Sequence, residues 1–304
     1  MTGLKLSVII PTYNRPGLIC NAIQSILNQT YYNIEIIVVD GSDNDDTKAI
    51  ASSISDTRLQ YVKIANQSAS HSRNIGMEMA KGDFVSFNDD DDVWHIDKAE
   101  KQLNHLASNK SSQIVYSLFS KKIGLNTRTT PDKTIERKKG DIYHELLLKN
   151  FIGLPTIIAS RTCCDGVNFD EELSCLEDWD WIIRLAKKNN FEFVEESLVT
   201  VNNTPKSVNK SDYSVKANAY IRIYSKNFTD ISKSPNIKAK HLLSIGNNLC
   251  LAGNIKEGRG YLKKSLEVDI KKPVTIASYL ISFLGLKFYK SVFKLYEEFT
   301  YSKP

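Results

Sequence analysis

Short apolar runs alternate with amphipathic segments over the first 200 residues of the chain. The runs are rich in β-branched residues, and the segments between them repeat apolar side chains three and four positions apart, as helices do. This alternation is typical of a mainly parallel sheet flanked by helices. The predicted strands lie at residues 6–10, 34–39, 58–62, 83–87, 114–120, 156–160 and 191–194.

The predicted helices complete an α/β region that we assign to residues 1–203. They lie at residues 18–27, 71–80, 97–108, 141–149 and 178–188. Residues 126–139 are polar and are predicted to form a loop.

From about residue 204 the pattern changes to Lys- and Asn-rich helical sequence without strong strands. Residues 241–269 predict two helices joined at Gly253 and Asn254, at a spacing similar to tetratricopeptide repeats. Only one such unit is visible, whereas a stable solenoid needs about three. We therefore expect residues 204–304 to form a basic helical region with one tetratricopeptide-like hairpin.

Charge is distributed unevenly between these two regions. Residues 204–304 contain 18 Lys or Arg and 7 Asp or Glu, a net charge of +11, whereas residues 1–203 have a net charge of −6. An acidic region suits a metal-dependent site, and a basic one suits an anionic surface. The five cysteines form no Cys-x-x-Cys pair and no signal peptide is evident, so a cytoplasmic location is expected.

The longest apolar stretch, residues 274–286, is too short to span a bilayer, which needs about 20 residues. Its apolar residues recur at helical spacing and are followed by three lysines: Val274, Ala277, Leu280, Ile281, Leu284, Lys287, Lys290 and Lys294. Two interpretations stay open. The stretch is either a core-packed helix or a helix lying on the inner face of an anionic membrane.

Polar residues follow each of the first, second and fourth predicted strands. In open α/β sheets ligands bind beyond the carboxyl ends of the strands. The residues that should converge there are residues 12–15, residues 40–43 and the acidic run at residues 89–92. Their convergence predicts a polar ligand site at this edge of the sheet.

The acidic run directly follows a predicted buried strand. Two like charges about 4 Å apart cost on the order of 4 kcal/mol at an effective dielectric of about 20, so the run needs water or a cation beside it. In extended backbone Asp89 and Asp91 would point to one side and Asp90 to the other. Such a pair of carboxylates suits Mg²⁺ or Mn²⁺. The alternatives are a solvated acidic loop or a cap for the next helix.

The chain contains four motifs in sequence order: SVIIPTYNRP at residues 7–16, IIVVDGSDNDDT at 36–47, HSRNIGMEMAKGDFVSFNDDDDVW at 71–94, and NFDEEL with LEDWDWIIRLA at 168–186. Together they resemble the motifs of the family 2 glycosyltransferases, which are inverting enzymes of the GT-A fold. The resemblance covers roughly residues 5–200. It implies a GT-A nucleotide-sugar transferase with a helical extension, one that moves a hexosyl group.

The resemblance also implies which residues bind the donor and the divalent cation. Base, ribose and diphosphate recognition would fall to Pro11, Thr12, Tyr13, Asn14, Asp40, Arg73, Asp89 and Asp90. Asp91 would be the direct ligand of Mn²⁺ or Mg²⁺, with Asp89 beside it. Asp92 is expected to be only a solvated helix start, and Arg73 has the alternative of a surface helical arginine.

Asp178 resembles the catalytic base of the family. A carboxylate near the acceptor can take the proton of the attacking hydroxyl, and one displacement with one base predicts inversion. Its alternative is the N-cap of a helix starting at Trp179. Asp180 and Arg184, four residues apart, are expected to form a supporting pair.

One departure from the family concerns the nucleotide. Many relatives have two consecutive acids after the second strand, whereas here Asp40 is followed by Gly41. The role of the second acid would be lost, or would pass to Asp40 or Asp43. A UDP-sugar donor is expected because an aspartate can accept from the uracil ring N–H and an aromatic residue such as Tyr13 can stack on the base. The expected acceptor is a surface glycan or a lipid-linked glycan, and no nucleic acid is expected as a partner.

Three other classes of protein fit the sequence less well. A sugar nucleotidyltransferase would carry a Gly-rich basic loop where this chain has Pro11 to Arg15, and an NAD-dependent oxidoreductase would carry GxGxxG. A non-catalytic binding protein on a degenerate transferase scaffold is opposed by the intact acidic run and by Asp178.

Overall fold

The computed structural model describes residues 3–65, 68–109, 111–123, 126–132, 135, 138–202 and 212–301. The chain divides into two compact units. The first contains Met1–Glu172 and Glu177–Ser207, and the second contains Leu173–Leu176 and Val208–Pro304.

The described part of the first unit contains a nine-stranded mixed sheet. Its strands are β1 (Leu6–Thr12), β2 (Ile34–Asp40), β3 (Leu59–Lys63), β4 (Phe84–Phe87), β5 (Val93–Trp94), β6 (Ile114–Ile123), β7 (Asn126–Thr130), β8 (Ile158–Ser160) and β9 (Phe191–Val201). Their order is β3-β2-β1-β4-β8-β6-β9-β5, with β7 beside β6. Strands β1 to β4 are parallel to one another, and β8 joins β4 in the antiparallel direction.

The helices of this unit are α1 (Pro16–Leu27), α2 (Asp46–Ser53), α3 (Ala69–Met79), α4 (Lys98–Ser108), α5 (Tyr143–Leu148), α6 (Arg161–Cys164) and α7 (Glu177–Ala186). Every residue of β1 and β2 is buried, as expected for strands that have helices on both faces. The mainly parallel α/β architecture predicted from the sequence is confirmed.

Three predicted segments differ from the structure. The polar loop at 126–139 begins with a strand, because residues Asn126–Thr130 pair antiparallel with the end of β6; residues 133, 134, 136 and 137 lie outside the described residues. The strand predicted at 156–160 begins only at Ile158, since the Pro-containing segment Leu154–Thr156 forms a 3-10 turn. Strand β9 also continues seven residues beyond its predicted end at residue 194, to Val201.

The second unit is helical where the structure describes it. Its helices are α8 (Tyr213–Lys226), α9 (Phe228–Ser232), α10 (Pro235–Ala252), α11 (Ile255–Val268), α12 (Pro273–Ile281) and α13 (Leu286–Tyr301), with a 3-10 turn at Ser282–Leu284. The predicted joint is confirmed: Gly253 has φ +101° and ends α10 directly before α11.

Helices α10 and α11 form the predicted hairpin and approach closely at two glycines. A Cβ on Gly246 would lie 2.8 Å from Leu262 Cγ, and one on Gly258 would lie 2.6 Å from Cys250 Sγ. Among the described helices of the chain, none combines the length and the apolar character that crossing a membrane requires.

Candidate active site

The carboxyl ends of β1, β2 and β4 lie side by side, because β1 pairs in parallel with both neighbours. Thr12 is opposite Asp40 in the β1–β2 register. Next to β4, the backbone N–H of Asn88 donates to the carbonyl of Ile9 at 3.0 Å, so the acidic run starts beside the last residues of β1. The predicted convergence of the polar strand ends is therefore confirmed.

The acidic run turns rather than continuing as extended backbone. The backbone N–H of Asp92 donates to the carbonyl of Asp89 at 3.1 Å and closes the turn. Asp90 is fully buried, whereas the side chains of Asp89 and Asp91 are 40% and 11% exposed. The prediction of extended backbone was therefore wrong. Asp89 and Asp91 are the two partly exposed members of the run, whereas Asp90 is buried.

Asp90 is bound from the end of β1. Thr12 Oγ1 donates to Asp90 Oδ2 at 2.8 Å, and Arg15 Nε donates to the same oxygen at 3.1 Å. Arg15 Nη2 lies 2.5 Å from Asp90 Oδ1, and Arg15 Nη1 lies 3.3 Å from Asp91 Oδ2. Burial raises the pKa of Asp90 to about 7, and the Arg15 charge opposes that rise.

The sequence placed Arg15 within residues 12–15, which converge at the site, but assigned it no role; in the structure it neutralises two acids of the run. The available signal was its position inside the motif at residues 7–16, next to residues already assigned to the donor.

Asp92 is not the solvated helix start that the sequence predicted. It is 2% exposed, and its Oδ1 accepts the backbone N–H of Asn202 at 3.0 Å. Burial and the charge of Asp89 raise its pKa to about 8. Asp92 therefore anchors the end of β9 to the acidic run, and helix α4 begins six residues later at Lys98.

Arg73 bridges the acidic run to the start of α7. Its Nη2 donates to Asp89 Oδ1 at 3.0 Å and its Nη1 donates to Glu177 Oε1 at 2.8 Å. Burial disfavours the Arg73 charge, but the carboxylates of Asp89 and Glu177 raise its pKa overall. Because Arg73 is only 5% exposed, the alternative of a surface helical arginine is wrong.

The next residue of α3, Asn74, holds the segment that leads to α7. Its Nδ2 donates to the carbonyl of Phe169 at 3.0 Å and to Glu171 Oε1 at 2.8 Å, while its Oδ1 accepts the Phe169 N–H at 2.7 Å. Below this segment, Phe169 stacks on Trp181 with 4.9 Å between ring centroids. Two adjacent residues of α3 thus hold Phe169, Glu171 and Glu177.

Asp178 lies inside the first turn of α7, which begins at Glu177. It is half-buried, and its Oδ1 accepts the backbone N–H of Trp179 at 2.7 Å. Burial and the neighbouring Glu177 raise the pKa of Asp178 to about 7, against the opposing charge of Arg73. One turn later, Arg184 Nε donates to the buried Asp180 at 2.9 Å, so the predicted supporting pair is confirmed.

The loops after β1 and β2 are tied together by reciprocal hydrogen bonds. Asn14 has φ +50°, a conformation that asparagine tolerates, and its Nδ2 donates to Asp43 Oδ2 at 2.7 Å. In return the Asp43 N–H donates to Asn14 Oδ1 at 3.0 Å, and Tyr13 Oη donates to Asp43 Oδ2 at 3.1 Å. Tyr13, Asn14 and Asp43 are all exposed.

Asp40, by contrast, is fully buried below this loop pair. Its Oδ2 accepts from Tyr61 Oη at 2.7 Å and its Oδ1 accepts the Ser42 N–H at 2.8 Å. Pro11 and Thr12 are buried as well. The six predicted residues from the two loops therefore divide into exposed ones that a ligand can reach and buried ones that support them.

No group of three or more His, Cys, Asp or Glu side chains within the described residues is arranged to hold a metal ion. Mg²⁺, however, is usually held by one or two carboxylates together with waters and substrate phosphates. The partly exposed Asp89 and Asp91 are a donor set of that kind.

Two solved structures share the fold of this chain. TarS of S. aureus, as residues 1–349 in complex with UDP-GlcNAc, superposes with a TM-score of 0.61 at 17% identity, covering 91% of this chain and 91% of that one. The mannosyltransferase PcManGT from Pyrobaculum calidifontis, in complex with GDP-Man and Mn²⁺, gives 0.59 at 18% identity, covering 92% and 85%. The predicted GT-A fold is confirmed.

The sequence profile described as Glycosyl transferase family 2 matches residues 7–164, more than half of the chain. The chain belongs to glycosyltransferase family 2, as its motifs predicted. The predicted class of enzyme, a glycosyltransferase, is therefore confirmed.

Three curated relatives show the range of related proteins. An uncharacterized glycosyltransferase of Rickettsia felis is 30% identical over 65% of this chain, which corresponds to only 33% of that protein. The GalNAc(5)-diNAcBac-PP-undecaprenol beta-1,3-glucosyltransferase of Campylobacter jejuni is 31% identical, over 62% of this chain and 61% of its own length. The UDP-Glc:alpha-D-GlcNAc-diphosphoundecaprenol beta-1,3-glucosyltransferase WfgD of Escherichia coli is 30% identical, over 64% and 74%. The chain thus spans about a third of the length of the Rickettsia felis protein.

Proposed function

We propose that the protein transfers a hexosyl group from a UDP-sugar to a hydroxyl of a lipid-linked glycan, with inversion at the anomeric carbon. The observation that supports this most is the Arg73 bridge. One buried guanidinium contacts both Asp89, in the run proposed to face the donor diphosphate, and Glu177, the neighbour of the proposed base Asp178.

The exposed loop pair would recognise the base. Tyr13, 37% exposed, offers a ring on which a base can stack, and Asp43 offers an accessible carboxylate for the N–H of a uracil ring. Asp40, Pro11 and Thr12 would support this surface from below. The UDP in the names of WfgD and of the TarS complex favours uridine, whereas the GDP-Man bound by PcManGT keeps guanosine as an outcome to test.

Asp91, with Asp89 beside it, would hold a divalent cation, Mn²⁺ or Mg²⁺, together with the donor diphosphate. When bound, such a cation neutralises the charge that develops on the departing nucleoside diphosphate. The Mn²⁺ in the PcManGT complex supports this assignment. Asp90 would hold the run in place through Thr12 and Arg15.

Asp178 would accept the proton of the acceptor hydroxyl as that oxygen attacks the sugar. A general base works best when its pKa lies near the working pH, and burial raises the pKa of Asp178 to about 7. The hydrogen bond from the Trp179 N–H fixes the orientation of its carboxylate.

The acceptor and the location are proposed from the relatives and from the charge of the chain. The names of the Campylobacter jejuni and Escherichia coli relatives specify undecaprenol-linked acceptors, which reside in membranes. The net charge of +11 in residues 204–304 supports peripheral contact with an anionic inner leaflet. A cytoplasmic protein bound to that surface would meet both its donor and its acceptor.

Titration calorimetry with UDP, with and without Mn²⁺, tests the donor side. We expect UDP affinity to depend on Mn²⁺ in the wild type and to lose that dependence in Asp91→Ala. Equal UDP binding by both proteins, independent of the metal, would remove the metal assignment.

Transfer from UDP-sugars to a diphosphate-linked lipid acceptor tests the base. Asp178→Asn should retain UDP binding but lose about 10²- to 10⁴-fold in rate, the usual contribution of a general base. Asp165→Asn, which changes an exposed carboxylate of the same unit, is the matched control. A protein that binds UDP but transfers no sugar, with or without Asp178, would be the non-catalytic binding protein.

A further inference from the structure

The second unit contains a lysine-rich segment without acidic residues. Between Asp269 and Glu297 the chain has five lysines and no Asp or Glu, namely Lys271, Lys272, Lys287, Lys290 and Lys294. Four of the five are exposed, and Lys272 is half-buried. This segment comprises α12, the turn after it and most of α13, and its side chains carry a net charge of +5. Lys272 lies 3.7 Å from Asp269, at the edge of the segment.

The same helices expose an unusual amount of apolar surface. Leu280 is 59% exposed, Phe283 55% and Leu284 61%. We call this the apolar face, and it comprises Val274, Ile276, Leu280, Phe283, Leu284, Phe288 and Leu295. Seven large apolar side chains exposed within one stretch of about 20 residues indicate an interaction site rather than the ordinary scatter of single surface leucines.

The corner between α12 and α13 is held in a defined conformation. Arg259 of α11 donates to Ser282 twice, from Nε to Oγ at 3.0 Å and from Nη2 to the carbonyl at 2.7 Å. The Arg259 guanidinium also lies 3.9 Å from the ring centroid of Phe283. Gly285, with φ +87°, then allows the chain to turn into α13. The apolar face is therefore presented by a fixed corner and not by a loose end.

A cavity of about 280 Å³ opens between α12 and α13. Its walls are mainly hydrocarbon, with Val274, Ala277 and Ile281 on one side and Val292 and Phe293 on the other. At its lining the Tyr289 hydroxyl donates to Asn247 Oδ1 at 2.7 Å, so these two polar groups satisfy each other. The cavity is thus an apolar space that shares Val274 with the apolar face, and three of the lysines lie on α13, one of the helices that line it.

We propose that the α12–α13 corner is a lipid-binding site, in which the apolar face enters an anionic bilayer leaflet and the cavity takes one hydrocarbon chain of a membrane lipid. The lysines would contact the phosphates of the headgroups. This proposal rests on the membrane contact proposed above and assigns residues to it. Its test requires neither a nucleotide-sugar donor nor a measurement of sugar transfer.

The charges favour a bilayer over a second copy of the chain. A symmetric dimer through this face would bring the same exposed lysines of two copies together, and like charges in contact are destabilising. An anionic leaflet offers apolar chains and negative phosphates at once, which matches both parts of the surface.

Co-flotation with vesicles tests the surface. The wild type should float with phosphatidylcholine vesicles that contain phosphatidylglycerol and not with pure phosphatidylcholine. Leu280→Glu/Leu284→Glu should weaken binding at least tenfold, and Lys287→Gln/Lys290→Gln/Lys294→Gln about 100-fold. The control is Lys233→Gln/Lys256→Gln/Lys263→Gln, which makes the same charge change on exposed lysines elsewhere in the unit. This control variant should bind the anionic vesicles at least tenfold more tightly than the α13 triple variant.

Quenching by brominated acyl chains tests the cavity. Phe293→Trp places a reporter in its wall, and the native tryptophans, Trp94, Trp179 and Trp181, are buried in the first unit. Vesicles with brominated chains should quench the reporter, and adding Ala277→Phe, which fills the cavity, should remove the quenching while the protein still floats. Circular dichroism checks that each variant is folded.

Several results would overturn the proposal. They are no flotation with anionic vesicles, flotation that the Leu280/Leu284 variant does not weaken, or a reporter that brominated chains leave unquenched. Concentration-dependent dimers in sedimentation that only the Leu280/Leu284 variant abolishes, without flotation, would instead assign the face to a second copy. Asp178→Asn should float like the wild type, so a failure of the proposed transfer reaction would be seen separately.

Discussion

Two arginines organise the charges of the candidate site. Arg15 neutralises Asp90 and reaches Asp91, while Arg73 contacts Asp89 and Glu177. Each comes from a different element, Arg15 from the turn before α1 and Arg73 from α3. Three of the four acids of the run, Asp89, Asp90 and Asp91, can stay close together because these two arginines contact them.

Removing Arg73 should destabilise the fold. Arg73→Gln leaves Asp89 and Glu177 facing each other without a cation, and breaking a buried pair costs about 3–5 kcal/mol. Because Asp89 is 40% exposed, we expect a value of about 3 kcal/mol, at the low end of that range. Urea denaturation measures it.

The control for Arg73 is Arg128→Gln, which breaks a pair with Asp132 at 3.5 Å on a side chain 45% exposed. It should cost less than about 1 kcal/mol, as exposed pairs do. Equal losses in the two variants would contradict the bridging role of Arg73.

Removing Arg15 should change the affinity for Mn²⁺. Its guanidinium contacts the carboxylates that the proposed cation needs, so Arg15→Gln should bind Mn²⁺ without nucleotide more tightly, by about tenfold or about 1.4 kcal/mol. Electron paramagnetic resonance of free Mn²⁺ measures this without any turnover. Weaker Mn²⁺ binding in the variant would mean that Arg15 positions the acids instead of competing for them.

Asp178 should give the reaction a pH dependence. With a pKa of about 7, the carboxylate is deprotonated above neutrality, so kcat/KM should be about tenfold lower at pH 6 than at pH 8 and flat above that. The residual activity of Asp178→Asn should lack this limb. A wild-type profile that is flat from pH 5 to pH 8 would contradict the assignment.

The raised pKa of Asp178 also predicts that stability falls as pH rises, whereas activity rises with pH. The folded-state pKa of Asp178 lies above its ordinary value of 3.8, so between these values the unfolded chain loses the proton first and stability falls as pH rises. Asp178→Asn should therefore melt at a higher temperature than the wild type at pH 8, and the difference should vanish near pH 4. Thermal melts at the two pH values measure it.

At the scale of single residues, the sequence indicated which side chains belong to the site better than it indicated their burial or their contacts. The sequence placed Asp89 and Asp91 on one side through an extended backbone that the structure does not have. It also missed the burial of Asp92, because that burial depends on Asn202, 110 residues away. Arg15 was placed among the converging residues but was given no role, because its partners become visible only once β1 and β4 are adjacent.

Helix α3 shows how one element serves both packing and the site. Ser68 caps its first turn by accepting the His71 N–H, and Arg73 and Asn74 then contact the segment that leads to α7. Two residues further, Gly76 faces β1. The Arg-Asn-x-Gly motif therefore combines two contacts to the acceptor-side segment with one close approach to the sheet.

Gly76→Ala should loosen this helix from the sheet. A Cβ there would lie 2.3 Å from Ile9 Cγ2 in the middle of β1, and overpacking a tight core costs about 1–3 kcal/mol. Chemical denaturation should show that loss. The effect should also be smaller in an Ile9→Ala background than in the wild type, because the clashing atoms are gone.

Gly17→Ala is the matched control, since Gly17 lies in α1 with no atom within 4 Å of the added Cβ. It should be neutral or slightly stabilising, as expected for alanine in a helix. If both substitutions destabilise equally, close packing of α3 is not the reason for the glycine.

Elements with strong local patterns were predicted well, and those that depend on partners were not. Strand β2, a run of buried β-branched residues, is found within one residue of its predicted bounds. Strand β7 was assigned to a loop because its residues, Asn-Thr-Arg-Thr-Thr, are polar and form a strand only by pairing with β6. The late end of β9 also reflects pairing, since β6 and β5 continue along it.

On the scale of the whole molecule, the two compact units have different chemistry. The first unit contains the acidic run and the candidate active site. The second unit contains the apolar face and the lysines of the α12–α13 corner. We propose that this division corresponds to the functional one predicted from the sequence, a catalytic region at residues 1–203 and a basic helical region at 204–304.

Differential scanning calorimetry can test that division in the intact protein. A ligand that binds only the folded state stabilises it by about 2.7 kcal/mol at 100 times its Kd, and here the donor ligands should bind the first unit alone. UDP with Mn²⁺ should therefore raise the temperature of one unfolding transition and leave a second unchanged. Asp91→Ala should lose that shift, whereas Lys287→Gln/Lys290→Gln/Lys294→Gln should keep it. A single transition that moves as a whole would mean that the two regions unfold as one cooperative body.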